Sequence, residues 1–525
     1  MGMVAPEQRI ASAYVIFCGE YGAVRRQAEE RRVCRQRLYR EAAWVVERLQ
    51  GTRWQQEIAE LRAQVRQLQE SKVALQRRLD AAVVLDEEKQ KEVACVGQAM
   101  GVSLPEIHAL LQVLQGEKAP SVAKLGRWTQ AAGARSAGLL EVLDELAREQ
   151  VKQVAADEIY VKDPVLMVVE PESLCWLAGR LHEQAQGEAW AETLRTLRPF
   201  PHLEQVTRDA GLALSKGVAV VNRERSEQGL PKVADQLDHF HALRGGQRGV
   251  QQAEKPFREA LAVVEETEQK LAERRRRGQT LAGISAHGSR QWAQATEALQ
   301  AWQEREQAWL RTKQALQLIT PEGELNTRAR AEAVLAETLP QLADADFGKT
   351  KRLLRQPQTL TYLDEVQRKL QALPVPAEVL DAAVRQEGLR RRPELLQGDG
   401  TQAATLRGVL LMCAVILSKA GEAGQLAAEG VRAIFRNTWR ASSLVECINS
   451  VLRMQQARHR KMTQGLLNLK RLYWNCHSFR TGRRRGKSPY QRLGLPWPEG
   501  LRWWDVLKLT PEQLRHKLSA TELAA

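Results

Sequence analysis

The chain has 525 residues, 43% hydrophobic and 27% charged, a length that calls for two to four cores rather than one. Lysine and arginine number 78 against 63 aspartates and glutamates, and the formal charge of +15 favours a polyanionic partner, nucleic acid ahead of an anionic membrane. The seven cysteines are scattered without a Cys-x-x-Cys pair, which argues against zinc fingers and a disulfide framework and suits a reducing cytosol. The opening MGMVAPEQR lacks the apolar stretch of a secretory signal, and the longest apolar run, residues 409–417, is too short to span a bilayer. A soluble, cytoplasmic protein without a membrane partner is expected.

Residues 17–41 read as two short helices joined by a tight turn, with Val24, Ala28, Val33, Leu38 and Tyr39 facing inward. The second helix carries Arg35, Gln36, Arg37 and Arg40, the residue types with which a helix-turn-helix reads base edges in the major groove. The turn has no glycine, so an ordinary basic helical hairpin is the competing reading. From Trp54 the pattern becomes a heptad, with Trp54, Ile58, Leu61, Val65, Leu68, Lys72, Leu75 and Leu79 in alternating steps of four and three. This predicts a coiled coil, either a dimer strut or one half of an intramolecular hairpin, with Lys72 as its single polar core position. Residues 89–114 form a second helix-turn-helix candidate: Val93, Val96 and Met100 on the first helix, Gly101 in the turn, and Ser103 with Glu106 as a capping box. A third helical pair, residues 121–131 and 138–150, is expected on either side of Gly133.

Residues 154–161, VAADEIYV, and 165–170, VLMVVE, read as a β-hairpin turning at Asp163-Pro164. A carboxylate in such a strand is costly unless paired or bound to a metal, which singles out Asp157. Its neighbour Glu158 points to the opposite face, because side chains alternate along a strand. A third strand over 173–180, a helix over 188–197, and a strand ending at Asp209 before a turn at Gly211 follow. Residues 233–244 are expected to contain another strand, ending in His239, Phe240 and His241.

The sheet pattern stops there. Residues 251–392 have helical spacing, divided by Pro321, Pro340, Pro357 and Pro374, with Trp292, Trp302 and Trp309 read as helix-packing residues. The α/β pattern is expected to resume near Gly408 with the apolar run GVLLMCAVIL and a helix through Phe435 and Trp439. The next helix carries Glu446, with Asn449 and Arg453 three and seven residues on, hence on the same face. Between Glu446 and Glu499 no acidic residue occurs. Arg453, Arg458, Arg460, Lys461, Arg483, Arg484, Arg485 and Lys487 lie in that interval among aromatic residues, a composition suited to a phosphate backbone.

This order of parts resembles the catalytic core of bacterial DDE transposases with an RNase H-like fold interrupted by a helical insertion. The stretches that carry the resemblance are DEIYV with VLMVVEPES, then TRDAG, DHFH, SSLVECINSVLR and NCHSFRTGRRRGKSPYQRLGL, covering about residues 150–245 and 405–496. The resemblance implies an α/β RNase H-like core in two parts, 151–245 and 406–500, split by an all-helical insertion at 246–405. Ahead of it would stand helix-turn-helix-like regions at 1–50 and 83–150 and a coiled coil at 51–82, with a tail at 501–525. It further implies that Asp157 bridges two Mg²⁺ ions, or Mn²⁺ in their place, while Asp209 and Glu446 each complete one site. Water would nick a transposon end and the freed 3′-hydroxyl would join it to target DNA, with double-stranded DNA and a second copy of the chain as partners. His239, His241 and Asn449 would support the site. Glu170 and Asp238 are rival ligands under a shifted strand register, and a catalytically inactive, transposase-derived DNA-binding protein is the alternative function.

Overall fold

The computed structural model describes residues 4–49, 52–81, 85–196, 201–457 and 462–522, and the chain divides into two units, Met1–Asp86 and Glu87–Ala525. The first is helical: α1 (Pro6–Cys18), α2 (Ala23–Glu30), α3 (Arg35–Leu49) and α4 (Thr52–Ala81). Ala13, Ala42 and Val45 make a small core, with Ala28 and Leu38 also buried. So little apolar area is supplemented by a polar tie, in which Ser12 and Arg31 both donate to the buried Glu41 carboxylate, at 2.6 and 2.8 Å. The turn between α2 and α3 manages without glycine because Arg32 takes the left-handed conformation, with φ of 50°. Tyr39 points outward, contrary to expectation, at 53% exposure. Along α4 the heptad residues Leu61, Val65, Leu68 and Leu75 stand 52–70% exposed; the side chains of Trp54 and Leu79 lie outside the described residues.

The second unit opens with α5 (Glu87–Met100), α6 (Leu104–Gln115) and α7 (Val122–Ala147). Gly101 turns at a φ of 94° and Ser103 and Glu106 form the expected capping box. Met100 is exposed rather than inward, its place taken by Ala94, Cys95 and Ala99. The expected third pair is instead one continuous helix, α7. Gly133 does not break it, because there α7 crosses a later helix so closely that a Cβ at Gly133 would meet the Gly465 carbonyl at 2.5 Å.

A five-stranded mixed sheet follows, ordered β3-β2-β1-β4-β5. Its members are β1 (Gln153–Val161), β2 (Asp163–Glu170), β3 (Cys175–Leu181), β4 (Gln205–Arg208) and β5 (Ala234–Leu237), with α8 (Gly187–Arg195) before β4 and α9 (Leu212–Glu227) before β5. The first three strands are antiparallel, and β4 and β5 run parallel to β1, which requires a crossover of the kind α9 supplies. The hairpin reverses at Lys162, whose φ is 70°, so Asp163-Pro164 belongs to β2 rather than to the turn.

Alternation along the strands splits the core in two. Val154, Ala156, Leu166, Val168, Cys175 and Leu177 pack on the helices of one face, including α7, α8 and α9. Ala155, Ile159, Val165, Met167 and Trp176 pack on the other, against Val445, Ile448 and Leu452.

From His239 to Arg436 the chain is a helical insertion: α10 (His239–Arg276), α11 (Ala282–Ala315), α12 (Arg328–Thr338), α13 (Asp344–Leu354), α14 (Thr361–Gln371), α15 (Ala377–Arg391), α16 (Thr401–Lys419) and α17 (Glu422–Arg436). Trp309 is buried and Trp302 stacks on Phe257 at 5.8 Å, while Trp292 is half exposed. The run GVLLMCAVIL lies within α16 and is not a return to the sheet: Cys413 and Leu417 pack with α15 and α17, while Leu411 and Met412 are exposed. With its flanks helical, α16 is long and apolar enough by length and composition to cross a membrane, which the bare run of nine residues is not. α17 ends at Arg436, short of Trp439. The chain then re-enters the α/β part with α18 (Val445–Ala457), α19 (Gln464–Cys476), α20 (Pro489–Leu493), α21 (Trp503–Lys508) and α22 (Pro511–Glu522).

α19 also closes an exposed sheet edge. Asn475 pairs with both the N–H and the carbonyl of Trp176 on β3, and Arg471 donates to the Trp176 carbonyl at 2.6 Å.

Candidate active site

The parallel ladders place Ala156, Arg208 and Leu237 level with one another on β1, β4 and β5. The residue after each is an aspartate, so Asp157, Asp209 and Asp238 follow at the same edge of the sheet. Asp157 faces α18, on the side of Ala155 and Ile159. Glu158 faces the other way, as expected, accepting from the Trp190 indole at 3.1 Å.

α18 brings two groups to this edge. Glu446 lies in its first turn and is paired with Arg453 two turns on. Asn449 is buried; its Nδ2 donates to Asp157 Oδ2 at 3.4 Å, while its Oδ1 is buried without a hydrogen-bond partner among the described residues. Burial, followed by the charges of Asp209, Glu446 and Asp238, pushes the Asp157 carboxyl up to about 7, against a hydrogen bond from the Glu158 amide. The three expected carboxylates are therefore within electrostatic reach of one another, and Asp238 joins them.

The Asp209 turn is held from below by a residue that sequence reasoning passed over. Arg208 is fully buried, forks onto Asp235 at 2.6 and 2.7 Å, and donates to the Asp209 carbonyl at 2.8 Å. Asp209 itself accepts from the Gly211 amide at 2.9 Å. The signal was present in TRDAG, where an arginine at the end of a short strand directly precedes the aspartate.

Other assignments shift. β5 stops at Leu237, so His239 and His241 sit in the first turn of α10 and not at a strand end, and Asp238 is the cap of that helix. His239 is turned away from the carboxylates: it is buried, bonded to the Thr359 carbonyl at 2.7 Å, and burial with the nearby Arg440 pushes its pKa down to about 4. It anchors the insertion. His241 stays near, with Nε2 at 3.6 Å from Asp238 Oδ2. Glu170 is not at the edge; it accepts from the Glu172 and Ser173 amides and closes the β2–β3 turn.

The basic interval divides as well. Arg458, Arg460 and Lys461 lie outside the described residues. Arg453, Arg483, Arg485 and Lys487 are exposed, whereas Arg484 is half-buried and donates to the Pro171 and Glu172 carbonyls at 3.3 and 3.1 Å. That turn lies beside the start of β1, the end of the sheet away from Asp157. Lys470 and Arg471 are buried, and burial pushes Lys470 down to about 7, so neither is part of an outward charge surface. In the first unit Arg35, Arg37 and Arg40 line exposed positions of α3, with Arg37 also pairing with Glu41 at 3.2 Å.

Chemically, the edge concentrates oxygen donors, with one nearby cation engaged on Glu446 and an unpartnered amide oxygen beside Asp157. Among the described residues no three Asp, Glu, His or Cys side chains already form a closed metal site. The donor set nevertheless fits a hard divalent cation, which takes oxygen ligands and offsets both the burial and the neighbouring charges that raise Asp157. No family model, curated protein or solved structure matches the chain.

Proposed function

We propose that the chain is a DDE-type transposase that cuts and joins DNA, its sheet forming an RNase H-like core. The observation that carries the reading is the meeting of Asp157, Asp209 and Glu446, remote in sequence, at one sheet edge where the last two add to the charge felt by Asp157. The strand order, with three antiparallel strands followed by two parallel ones, and the arrival of Glu446 on a helix over the same face support it. Asp157, Asp209 and Glu446 would hold Mg²⁺, or Mn²⁺ in its place; when bound, two such ions polarise the scissile phosphate and supply an activated oxygen nucleophile. The chain's own residues do the rest. Asn449 orients Asp157, Arg208 fixes the Asp209 turn, and Arg453 exchanges Glu446 for a DNA phosphate as substrate enters. The exposed arginines of the 483–487 loop contribute sequence-independent affinity, and those of α3 read base edges in the major groove.

A second copy is the proposed partner of α4. Ile58, Val65 and Lys72 fall at one core position of the heptad and Leu61, Leu68 and Leu75 at the other, and β-branched residues at a with leucine at d favour two parallel strands. In that register Glu57 of each copy lies opposite Arg62 of the other. A parallel pair sets both α1–α3 bundles at the same end of the strut, as two related DNA half-sites require. The proposed setting is the cytoplasm, bound to the nucleoid, with no membrane partner.

The test is cleavage of labelled duplex bearing the element's ends, with Mg²⁺ or Mn²⁺, by wild type and by Asp157→Ala, Asp209→Ala and Glu446→Ala. Nicking by wild type and binding without nicking by each variant is the expected result. A wild type that binds yet never cuts would move the reading to the inactive DNA-binding protein.

A further inference from the structure

α10 and α11 form a long antiparallel hairpin. Its base is locked into the insertion: a Cβ on Gly246 would lie 2.1 Å from the Trp309 ring, and one on Gly249 2.6 Å from that of Phe347. Further out the seam is carried by Val264, Thr267 and Ala295, with Gly288 facing Thr267 and Leu271. From His239 to Arg276 the helical path is about 55 Å at 1.5 Å per residue, so the tip lies far along an arm that starts beside Asp238.

The tip reads Arg274-Arg275-Arg276-Arg277-Gly278-Gln279-Thr280, and all seven residues are exposed. The shaft leading to it, residues 251–273, has six glutamates against three lysines and arginines, so the charge reverses sign at the tip. Helix-dipole compensation accounts for part of this, since a cation in the last turn contributes about 0.3–1 kcal/mol. It does not account for four in a row. Arg274 and Arg277 are one turn apart, where like charges cost about 0.2–0.5 kcal/mol, and no ion pair offsets them among the described residues. Such a cluster lowers stability unless an anion meets it.

We propose that this arginine tip is a second DNA-binding site, which grips duplex phosphates far from the carboxylate edge; the proposal rests on the DNA-processing reading above. Duplex DNA presents a charge about every 1.7 Å of its axis, a repeat that four forked guanidiniums can engage without reading sequence. The tip has no apolar residue to enter a membrane interface, which disfavours a lipid surface. At full extension the arm reaches roughly 16 base pairs from the cutting edge, at about 3.4 Å per pair.

The experiment compares wild type with a variant carrying Arg274→Gln, Arg275→Gln, Arg276→Gln and Arg277→Gln, and with the matching lysine variant, which keeps the charge and controls for folding. Affinity is measured for duplexes of about 12 and about 40 base pairs over a salt series. For the long duplex the glutamine variant should bind at least about tenfold more weakly, and its logarithmic salt slope should fall by about 3–4. The short duplex should be bound equally well by all three proteins. An unchanged slope and affinity on the long duplex overturns the tip site alone, as does a glutamine variant that loses only binding to vesicles rich in phosphatidylserine. A wild type that binds neither duplex overturns the tip site together with the DNA-processing reading.

Discussion

Replacing Asp157 by asparagine should make the cation-free protein more stable at pH 8, although it removes the central carboxylate. The folded-state pKa of about 7, set by burial and by the charges of Asp209, Glu446 and Asp238, lies above the ordinary aspartate value near 3.8. A raised acid pKa means that the folded state holds its proton more tightly than the unfolded chain. Stability is therefore lost as pH rises from about 4, and the full cost is reached above about 7. At about 1.4 kcal/mol per unit the ceiling is about 4 kcal/mol, and relaxation and water entry bring the expected figure to about 2. Thermal unfolding in EDTA should show Asp157→Asn above wild type by several degrees at pH 8, with the gap shrinking by about half at pH 5.5. Adding Mg²⁺ should raise wild type and not the variant. A variant less stable than wild type at pH 8 in EDTA, or a gap that does not change with pH, would refute the claim that burial and the neighbouring carboxylates raise Asp157 in the folded protein.

Three further predictions test the surroundings. Arg208→Met removes a buried cation and leaves Asp235 without its fork, so the core should lose about 3–5 kcal/mol in thermal unfolding; unchanged stability would deny Arg208 its positioning role. Leu68→Glu on α4 should reduce a dimer to a monomer in sedimentation, and Lys72→Leu should strengthen the association; a wild type that sediments as a monomer would remove the strut. Alanine at Arg483, Arg485 and Lys487 should lower the salt slope of DNA binding by about 2–3 without loss of stability, whereas Arg484→Ala should cost about 1–2 kcal/mol of stability, because its guanidinium holds two turn carbonyls.

Where local chemistry decides structure, the sequence was legible. The hairpin around Asp157, the opposite facing of Glu158, the Ser103 capping box and the helical character of 251–392 all follow from periodicity and turn residues that act over a few positions. The failures come from tertiary context. Gly133 looked like a break but marks the contact of α7 with Gly465, a residue more than 300 positions away. The apolar run at 409–417 fits a buried strand and a helix equally well by composition, and its packing against α15 and α17 settles it as helix. His239 looked like a site residue because the expected strand was carried through to it, yet β5 stops at Leu237 and the first turn of α10 directs it to Thr359 in the insertion. Arg484 and Lys470 belong to a run of one sign, and only the fold distinguishes the outward cations from those spent on carbonyls.

The insertion raises a physical question: how Glu446 can be placed with precision when about 200 residues separate it from β5. The answer lies at the neck. The His239 amide donates to the Arg440 carbonyl at 2.8 Å and the Ser442 hydroxyl to Asp238 at 3.1 Å, so the insertion leaves and re-enters the α/β part at nearly one point. Arg440 and Tyr362 both donate to the Leu316 carbonyl, at 2.6 and 2.8 Å, which ties the two ends to the body of the insertion. A closed neck makes the position of α18 depend on these few bonds and not on the length of the excursion, whose closure entropy grows only slowly with size. Asp238 serves both sides of that junction: it caps α10 through the Phe240 amide, holds Ser442, and adds its charge to the field at Asp157. The residue that follows β5 at the carboxylate edge is therefore also the one that joins the insertion to the α/β part on both of its ends.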